Sequence, residues 1–389
     1  MVLKVVLLRS NPVSPDPPVE KMADALLSQG YEVTILGWNR SSSISDKEKI
    51  MLEHGKANII RFGIPAVFDG GLKKNLFPLA KFQIKLYQWL KKYNEKYDII
   101  HSFDFDTGYV ANKISRRYGK KLVYHILDFY VDSHHVPSNY LRLKVKQSEN
   151  TIINCSEATI ICSEKRREQI ADSCPKKLVI IHNTPKFCGN IGCNVIKHSS
   201  NERYKIVYVG ILAESRFLRE IIDFVENDER FELHVGGFGI MEDEIASAAQ
   251  KCNRIIFYGK LPYNKTLSLE NSCNIMTAIY DPKVPNHRYA APNKFYEALM
   301  LGKPIVMAKN TGFDEIIEEN NIGCLIEYSK SGLKNGIYSL IDQKDDWSAM
   351  GERMKKLYLE EYSWTEMERR IGLSLPMDRS PGFASAAGD

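Results

Sequence analysis

Short apolar runs rich in Val, Ile and Leu alternate with amphipathic segments along the chain, and the alternation stops once and starts again. "LKVVLLRS" reads as a strand and "PPVEKMADALLSQG" as a helix ending at Gly30, followed by the strand "YEVTILGW". The strand "YDIIHSFD", the helix "TGYVANKISRRYG" and the strands "KLVYHIL", "EATIICS" and "KLVIIHN" continue the series. Strands of this composition separated by helices belong to a parallel sheet covered on both faces. A second series opens with "NERYKIVYVGI" and runs through "RFELHVGG", "RIIFYG", "NIMTAIY" and "KPIVMA".

The pattern predicts an α/β protein of two doubly wound, Rossmann-like domains whose parallel sheets face an interdomain cleft. A length of 389 residues is right for two such domains. The predicted boundaries are a first domain over 1–185, a polar linker over 186–200 and a second domain over 201–350. A C-terminal helix is expected over 351–371, and a disordered tail over 372–389, where "GLSLPMDRSPGFASAAGD" is rich in small and polar residues. Ligands of doubly wound sheets bind beyond the carboxyl ends of strands, so residues just after strands are the first candidates.

Composition narrows the function. No apolar stretch is long enough to span a bilayer, and "MVLKVVLLRSNP" reads as a buried strand rather than a secretory signal. The eight cysteines form no Cys-x-x-Cys pair and several sit in apolar runs, which points to free thiols in a reducing cytoplasm and to no metal site. The net charge of +5 is unevenly spread: residues 1–190 hold 29 Lys+Arg against 19 Asp+Glu, and the remainder 24 against 29. Only the first half is expected to meet an anionic partner. Basic residues without interleaved aromatic platforms argue against nucleic acid.

"APNKFYEALMLGKPIV", residues 291–306, carries chemistry that packing does not explain. Pro292 suits a first helical position and Gly302 a left-handed cap. A helix N-terminus at Pro292-Asn293-Lys294 offers unpaired N–H groups to a phosphate, with the charge of Lys294 added. Glu297, ionised, can accept from two adjacent hydroxyls such as a ribose presents. Upstream, Gly210 directly follows a strand and lets a ligand approach the backbone, and Arg216 can hold a diphosphate bidentately. The glycines of "HVGGFG" fall short of the dinucleotide fingerprint, which counts against a nicotinamide oxidoreductase.

Gly210 and Arg216, then "HVGGFG", then "PNKFYEALMLGKPIV", resemble in order and spacing the donor domain of the family 4 retaining glycosyltransferases, which have the GT-B fold. "RSNPVSPDPPVEK", "LGWNR" and "HSFDFDTGYVA" resemble the acceptor-side domain of bacterial and archaeal members that build surface polysaccharides. The resemblance covers residues 1 to about 370. It implies a hexosyltransferase taking a UDP- or GDP-sugar, with no cofactor and no metal, and passing the sugar to a polysaccharide or lipid-linked glycan. It also implies that the C-terminal helix crosses back to the first domain.

Glu297 matches the family's second paired glutamate, which binds the ribose, and Arg216 the residue that holds the diphosphate. Two positions depart from the pattern: Tyr289 stands where the first glutamate is expected and Ile211 where a second basic residue is. His287 or Arg288 is a candidate substitute. On the acceptor side Asp104 and Asp128 are the expected catalytic residues with Arg216, near His101, Asp106 and His125, with no general base assigned. Asp104 and Asp106 also fit a helix cap before "TGYVANKIS".

After Pro78, the residues Leu79, Phe82, Leu86, Trp89, Leu90 and Tyr93 follow helical spacing, with Lys81, Lys85, Lys92 and Lys96 on a narrow arc. Residues 72–97 are therefore a candidate lipid-facing surface that would place the protein peripherally on the inner face of the cell membrane. The rival to an enzyme is a non-catalytic nucleotide-sugar-binding subunit, which Tyr289 and Ile211 favour. A phosphorylase or nucleotide-sugar epimerase on the same fold is a third reading.

Overall fold

The computed structural model describes residues 2–67, 71–134, 136–186 and 202–374. The predicted linker beyond residue 186, the tail beyond residue 374, and Cys188 and Cys193 lie outside them. The chain divides into two compact units, Met1–Ile181 with Glu368–Asp389, and His182–Met367.

The first unit begins β1 (Lys4–Leu8), α1 (Pro17–Ser28), β2 (Glu32–Asn39), β3 (Asp46–Leu52) and β4 (Gly55–Gly63). It continues with α2 (Gly71–Lys92), β5 (Ile99–Phe103), α3 (Asp104–Tyr118), β6 (Lys121–Ile126), α4 (Tyr130–Ser133), α5 (Asn139–Cys155), β7 (Ala158–Ile161) and β8 (Leu178–Ile180). The strand order is β3-β4-β2-β1-β5-β6-β7-β8. All neighbours are parallel except β3, which runs antiparallel to β4.

That edge hairpin corrects the expectation of a wholly parallel sheet. β3, "DKEKIML", is charged and mostly exposed, as edge strands are when they must not pair with another chain, so it lacks the apolar signature of the others. Arg61 on β4 holds it through Asp46 at 2.7 Å and Glu48 at 2.6 Å.

The helix expected after Pro78 starts earlier, at Gly71, with Pro78 inside it. Phe82, Leu86 and Leu90 are completely buried in the core under the sheet, and Phe82 stacks on Trp38 with centroids 5.0 Å apart. The apolar stripe predicted to face lipid is thus the packing face. The solvent side carries a different set, Leu76, Phe77 and Ile84, all exposed, beside exposed Lys74 and Lys81. Among the described residues no helix is long and apolar enough to cross a membrane.

The second unit contains β9 (Tyr204–Ile211), α6 (Leu218–Glu226), β10 (Phe231–Phe238), α7 (Glu242–Lys251), β11 (Ile255–Phe257), α8 (Tyr263–Asn271) and β12 (Ile275–Ala278). Then come α9 (Asn293–Leu301), β13 (Ile305–Ala308), α10 (Asp314–Asn320), β14 (Gly323–Ile326), α11 (Lys330–Asp342) and α12 (Trp347–Leu357). Its sheet is wholly parallel in the order β11-β10-β9-β12-β13-β14. The C-terminal segment read as one long helix is two: a π turn, Tyr358–Tyr362, follows α12, and α13 (Trp364–Ser374) starts afresh. Ser363 between them is extended and its hydroxyl accepts from the Glu366 N–H at 3.3 Å. Ser363-x-x-Glu366 is the pattern of a helix start, which the apolar periodicity across it conceals.

Both sheets are doubly wound, and each changes direction once. In the first the switch lies between β1 and β5, in the second between β9 and β12. Crevices open at such points, beyond the carboxyl ends of the two diverging strands.

Candidate functional site

At the second switch point β9 ends in Gly210, whose φ of 154° is a region that side-chain-bearing residues avoid. A Cβ there would also lie 2.5 Å from Lys294 Nζ. Gly237, paired with Gly210 on β10, has φ 134°, and a Cβ on it would overlap the Gly210 carbonyl. The two glycines let three backbones and one lysine meet at a single place.

Arg216 closes the turn Glu214–Arg216, and the Asp281 N–H donates to Ser215 O at 3.1 Å, tying this turn to the chain beyond β12. The Arg216 guanidinium lies 3.9 Å over the Tyr280 ring, a favourable seat for a planar cation. Its Nη1 is 3.3 Å from His287 Nε2, and His287 Nδ1 is 2.9 Å from the Asp281 carbonyl. A carbonyl only accepts, so Nδ1 carries the ring proton and Nε2 accepts from Arg216. Burial, and then the Arg216 charge, hold His287 below its ordinary pKa. Among the described residues Arg216 has no carboxylate partner.

Pro292 is the cap of α9 rather than its first residue, and Asn293 begins the helix and accepts from Asn183 Nδ2 at 3.1 Å. Gly302 ends it at φ 65°. From Lys294 to Leu301 every residue is buried, Glu297 to 4% exposure. Glu297 therefore does not face water, and the Tyr263 hydroxyl bonds to it. Lys294 Nζ sits 4.6 Å over the Tyr208 ring. Burial opposes its charge, but Tyr280, Tyr208, Glu297 and Glu270 raise its pKa above the usual lysine value.

Glu270, on α8, has no hydrogen-bond partner for either carboxyl oxygen among the described residues. Burial, then the neighbouring Glu297 charge, push it well above the carboxylate range.

In the first unit Arg9 directly follows β1. Its Nε donates to Asp16 at 2.9 Å and its Nη1 to Asp104. Burial opposes the Arg9 charge, yet Asp104 and Asp16 raise its pKa above the ordinary arginine value. Asp104 opens α3 with φ 58°, a conformation aspartate tolerates better than most residues. Its other oxygen accepts the N–H groups of Leu127 at 2.8 Å and Asp128 at 3.2 Å. Asp128 in turn pairs with buried Arg166 at 3.1 Å. Asp104 and Asp106 lie in the first turn of α3 without capping it, so the helix-cap explanation does not apply.

Arg9, Asp104, Asp106 and Asp128 line a cavity of about 490 Å³ with Arg40, Tyr130 and His134. Arg40 stacks 4.3 Å over Trp38 and donates to the Ser10 carbonyl at 2.9 Å. Burial raises the Asp106 carboxyl, against the pull of His134 and a Ser10 hydrogen bond. Tyr130 and His134 stack in parallel at 4.3 Å on its rim.

His101 and His125, placed after their strands by the sequence pattern, lie inside β5 and β6. His101 Nε2 faces His125 Nδ1 at 3.3 Å, and both rings are buried. Burial brings His101 down to about 3; burial, His101 and Arg9 hold His125 well below the ordinary histidine value. They form a neutral core pair.

The structure thus gathers Gly210, Arg216, Lys294 and Glu297 in one unit and Asp104 and Asp128 in the other. Arg288 is exposed, and Ile211 has 56% exposure beside the glycine. The sequence pattern passed over Arg9, which the rule of looking just past a strand would have found. It also passed over Tyr208, Tyr280 and Glu270, which carry no local signal: Tyr208 sits in an ordinary strand, Glu270 in an ordinary helix and Tyr280 in the loop after β12.

Residues 19–184 match the family model described as Glycosyltransferase Family 4, and residues 203–343 the model described as Glycosyl transferases group 1. Among solved structures the chain is similar to sucrose-phosphate synthase from Thermosynechococcus elongatus, with a TM-score of 0.73 at 16% identity over 95% of this chain and 98% of that one. It is similar to Anabaena Alr3699/HepE in complex with UDP, at 0.65 and 14% over 96% and 99% of the two chains. An Escherichia coli structure described as trehalose-6-phosphate bound with UDP-2-fluoro glucose gives 0.69 and 9% over 96% and 99%. No curated protein matches.

Proposed function

The chain belongs to the glycosyltransferases of GT-B fold, its halves matching the Family 4 and group 1 models, and from that premise we propose that it moves a sugar, with retention, from a nucleoside diphosphate to a glycan or lipid-linked acceptor. The observation that carries this reading is Arg216, a guanidinium seated on Tyr280 at the second switch point with no carboxylate to answer it among the described residues. A diphosphate supplies that answer. Lys294 and the N–H groups opening α9 add to the field, and Gly210 keeps the backbone approachable.

As the sugar–phosphate bond breaks, negative charge grows on the leaving diphosphate. Positioned cations stabilise that charge by about 3–4 kcal/mol per donor without reorganising. Glu297 would accept the ribose hydroxyls. The acceptor would occupy the first-unit cavity, where Asp104, Asp106 and Asp128 accept from hydroxyls and the Tyr130–His134 stack offers a sugar face a flat apolar seat. The relatives bound to UDP and UDP-2-fluoro glucose make a UDP-sugar the first donor to try.

A peripheral membrane location draws on the exposed Leu76, Phe77 and Ile84 among lysines of α2; sedimentation with phosphatidylglycerol vesicles reads it directly. The rival, a binding subunit without turnover, draws on Tyr289 and exposed Ile211. It predicts nucleotide binding with no donor hydrolysis or transfer.

The test is calorimetric titration with UDP, GDP, ADP and their hexose conjugates, on wild type and on Glu297→Ala. Loss of a charged hydrogen bond costs about 1.5–3 kcal/mol, so one nucleotide should bind and the variant should bind it roughly tenfold or more weakly. Equal binding by the variant, or no binding by either protein, overturns the reading.

A further inference from the structure

Arg216 has a partner that no sequence motif supplies. His287 accepts from it through Nε2 while Nδ1 is anchored on the Asp281 carbonyl. The position after Gly210, the other place beside the crevice for a second fixed cation, holds apolar Ile211. The charged and titratable groups around the imidazole are Arg216 after β9 and Tyr280 and Asp281 after β12; Tyr328, after β14, faces Arg216 and Asp281. Lys294 and Tyr208 face Tyr280 in turn.

We propose that His287 is a conditional further cation of the diphosphate site, beside Arg216 and Lys294, neutral in the free chain and protonated on Nε2 when a diphosphate occupies Arg216. This rests on the donor reading above. In the free chain a proton on Nε2 would break the hydrogen bond from Arg216 and set two cations 3.3 Å apart. A diphosphate removes both obstacles. Arg216 turns its N–H groups to phosphate oxygens, the freed Nε2 lone pair takes a proton from a buffer acid, and the new N–H donates to a phosphate oxygen. Nδ1 keeps its proton and its hold on Asp281, so no other bond changes. Burial holds the Tyr208 and Tyr328 hydroxyls above their ordinary pKa, and against burial the surrounding tyrosines and carboxylates hold Lys294 above its own.

The sign follows from linkage. A group whose pKa is low in the free chain and higher in the complex takes up a proton on binding between the two values. Affinity then falls as pH rises through the upper one, by up to about tenfold per pH unit.

The experiment is titration of the full chain with UDP-glucose, whose diphosphate diester is fully ionised and exchanges no proton of its own near neutrality, in two buffers of different ionisation enthalpy. The wild type should take up close to one proton per site at a pH between the two values, and His287→Gln essentially none, with weaker binding that is flat across pH 6–8. Equal proton uptake by both proteins overturns the role of His287 while leaving the donor site standing. Binding of no nucleotide sugar at all overturns both. Should the Gln variant not fold, the His287 ring resonances of the wild type decide: they move to imidazolium positions with ligand, or the proposal falls.

Discussion

Arg9 and Arg216 stand at comparable places, each just beyond the strand at which its sheet changes direction, and their surroundings are opposite. Arg9 is clasped by Asp16 and Asp104, and close by Asp128 is matched by Arg166. The first crevice has thus satisfied its own charges and presents what remains of their hydrogen-bonding capacity to a ligand. Arg216 has an aromatic ring and a neutral imidazole. A self-neutralised crevice suits a polyhydroxylated, uncharged partner, because no net charge must be desolvated. An unanswered cation suits an anion. The contrast supports the proposed placing of the acceptor in the first unit and the donor in the second, without recourse to sequence resemblance.

The contrast breaks most visibly at Arg216. Arg216→Gln should lower kcat/KM by about 10²–10³. It should leave the unfolding midpoint within roughly 0.5 kcal/mol of wild type, since no ion pair is lost. A large loss of stability would mean that Arg216 is structural and the two crevices are alike.

Asp104→Asn reverses the pattern. The amide keeps the acceptor for Leu127 and Asp128 but removes the charge beside Arg9. Stability should fall by about 2–3 kcal/mol in denaturant unfolding, below the usual cost of breaking a buried pair because Asp16 remains. An unchanged midpoint would show that Arg9 does not need its second carboxylate.

A pH-dependent effect concerns Glu149, under the first crevice, where it accepts from the Tyr124 hydroxyl at 2.7 Å. Burial lifts its pKa from 4.5 to about 8. A carboxyl raised in the folded state binds more protons than in the unfolded chain, so its stabilisation is complete below pH 4.5 and is lost as pH rises to about 8. Glu149→Gln should flatten that decline between pH 6 and pH 8, measured as the change in unfolding midpoint. A variant as pH-sensitive as wild type would place the titration elsewhere.

Much of the donor side was legible because its signals are local. Gly210, Pro292, Gly302 and the run from Asn293 to Glu297 are backbone and helix-end requirements, and these act over a few residues. The strand series was legible for the same reason, since buried parallel strands advertise themselves by composition. β3 was not, because an exposed edge strand has no apolar run to show. The lipid-facing stripe on α2 was assigned to the wrong side because periodicity finds an apolar face without saying what covers it; here the sheet does.

The sequence by itself determined two α/β series, the helix that begins at Asn293, and which residue types stand after which strands. All of these follow from period, turn chemistry and helix ends, which are short-range. Tertiary structure alone decided the strand order, and with it the two switch points that bring Arg9 to Asp104 and Arg216 to Tyr280 and His287. Those partners are separated by 64 to 95 positions. Which of them meet depends on the order in which strands pair, a property of the whole sheet that no stretch of sequence contains.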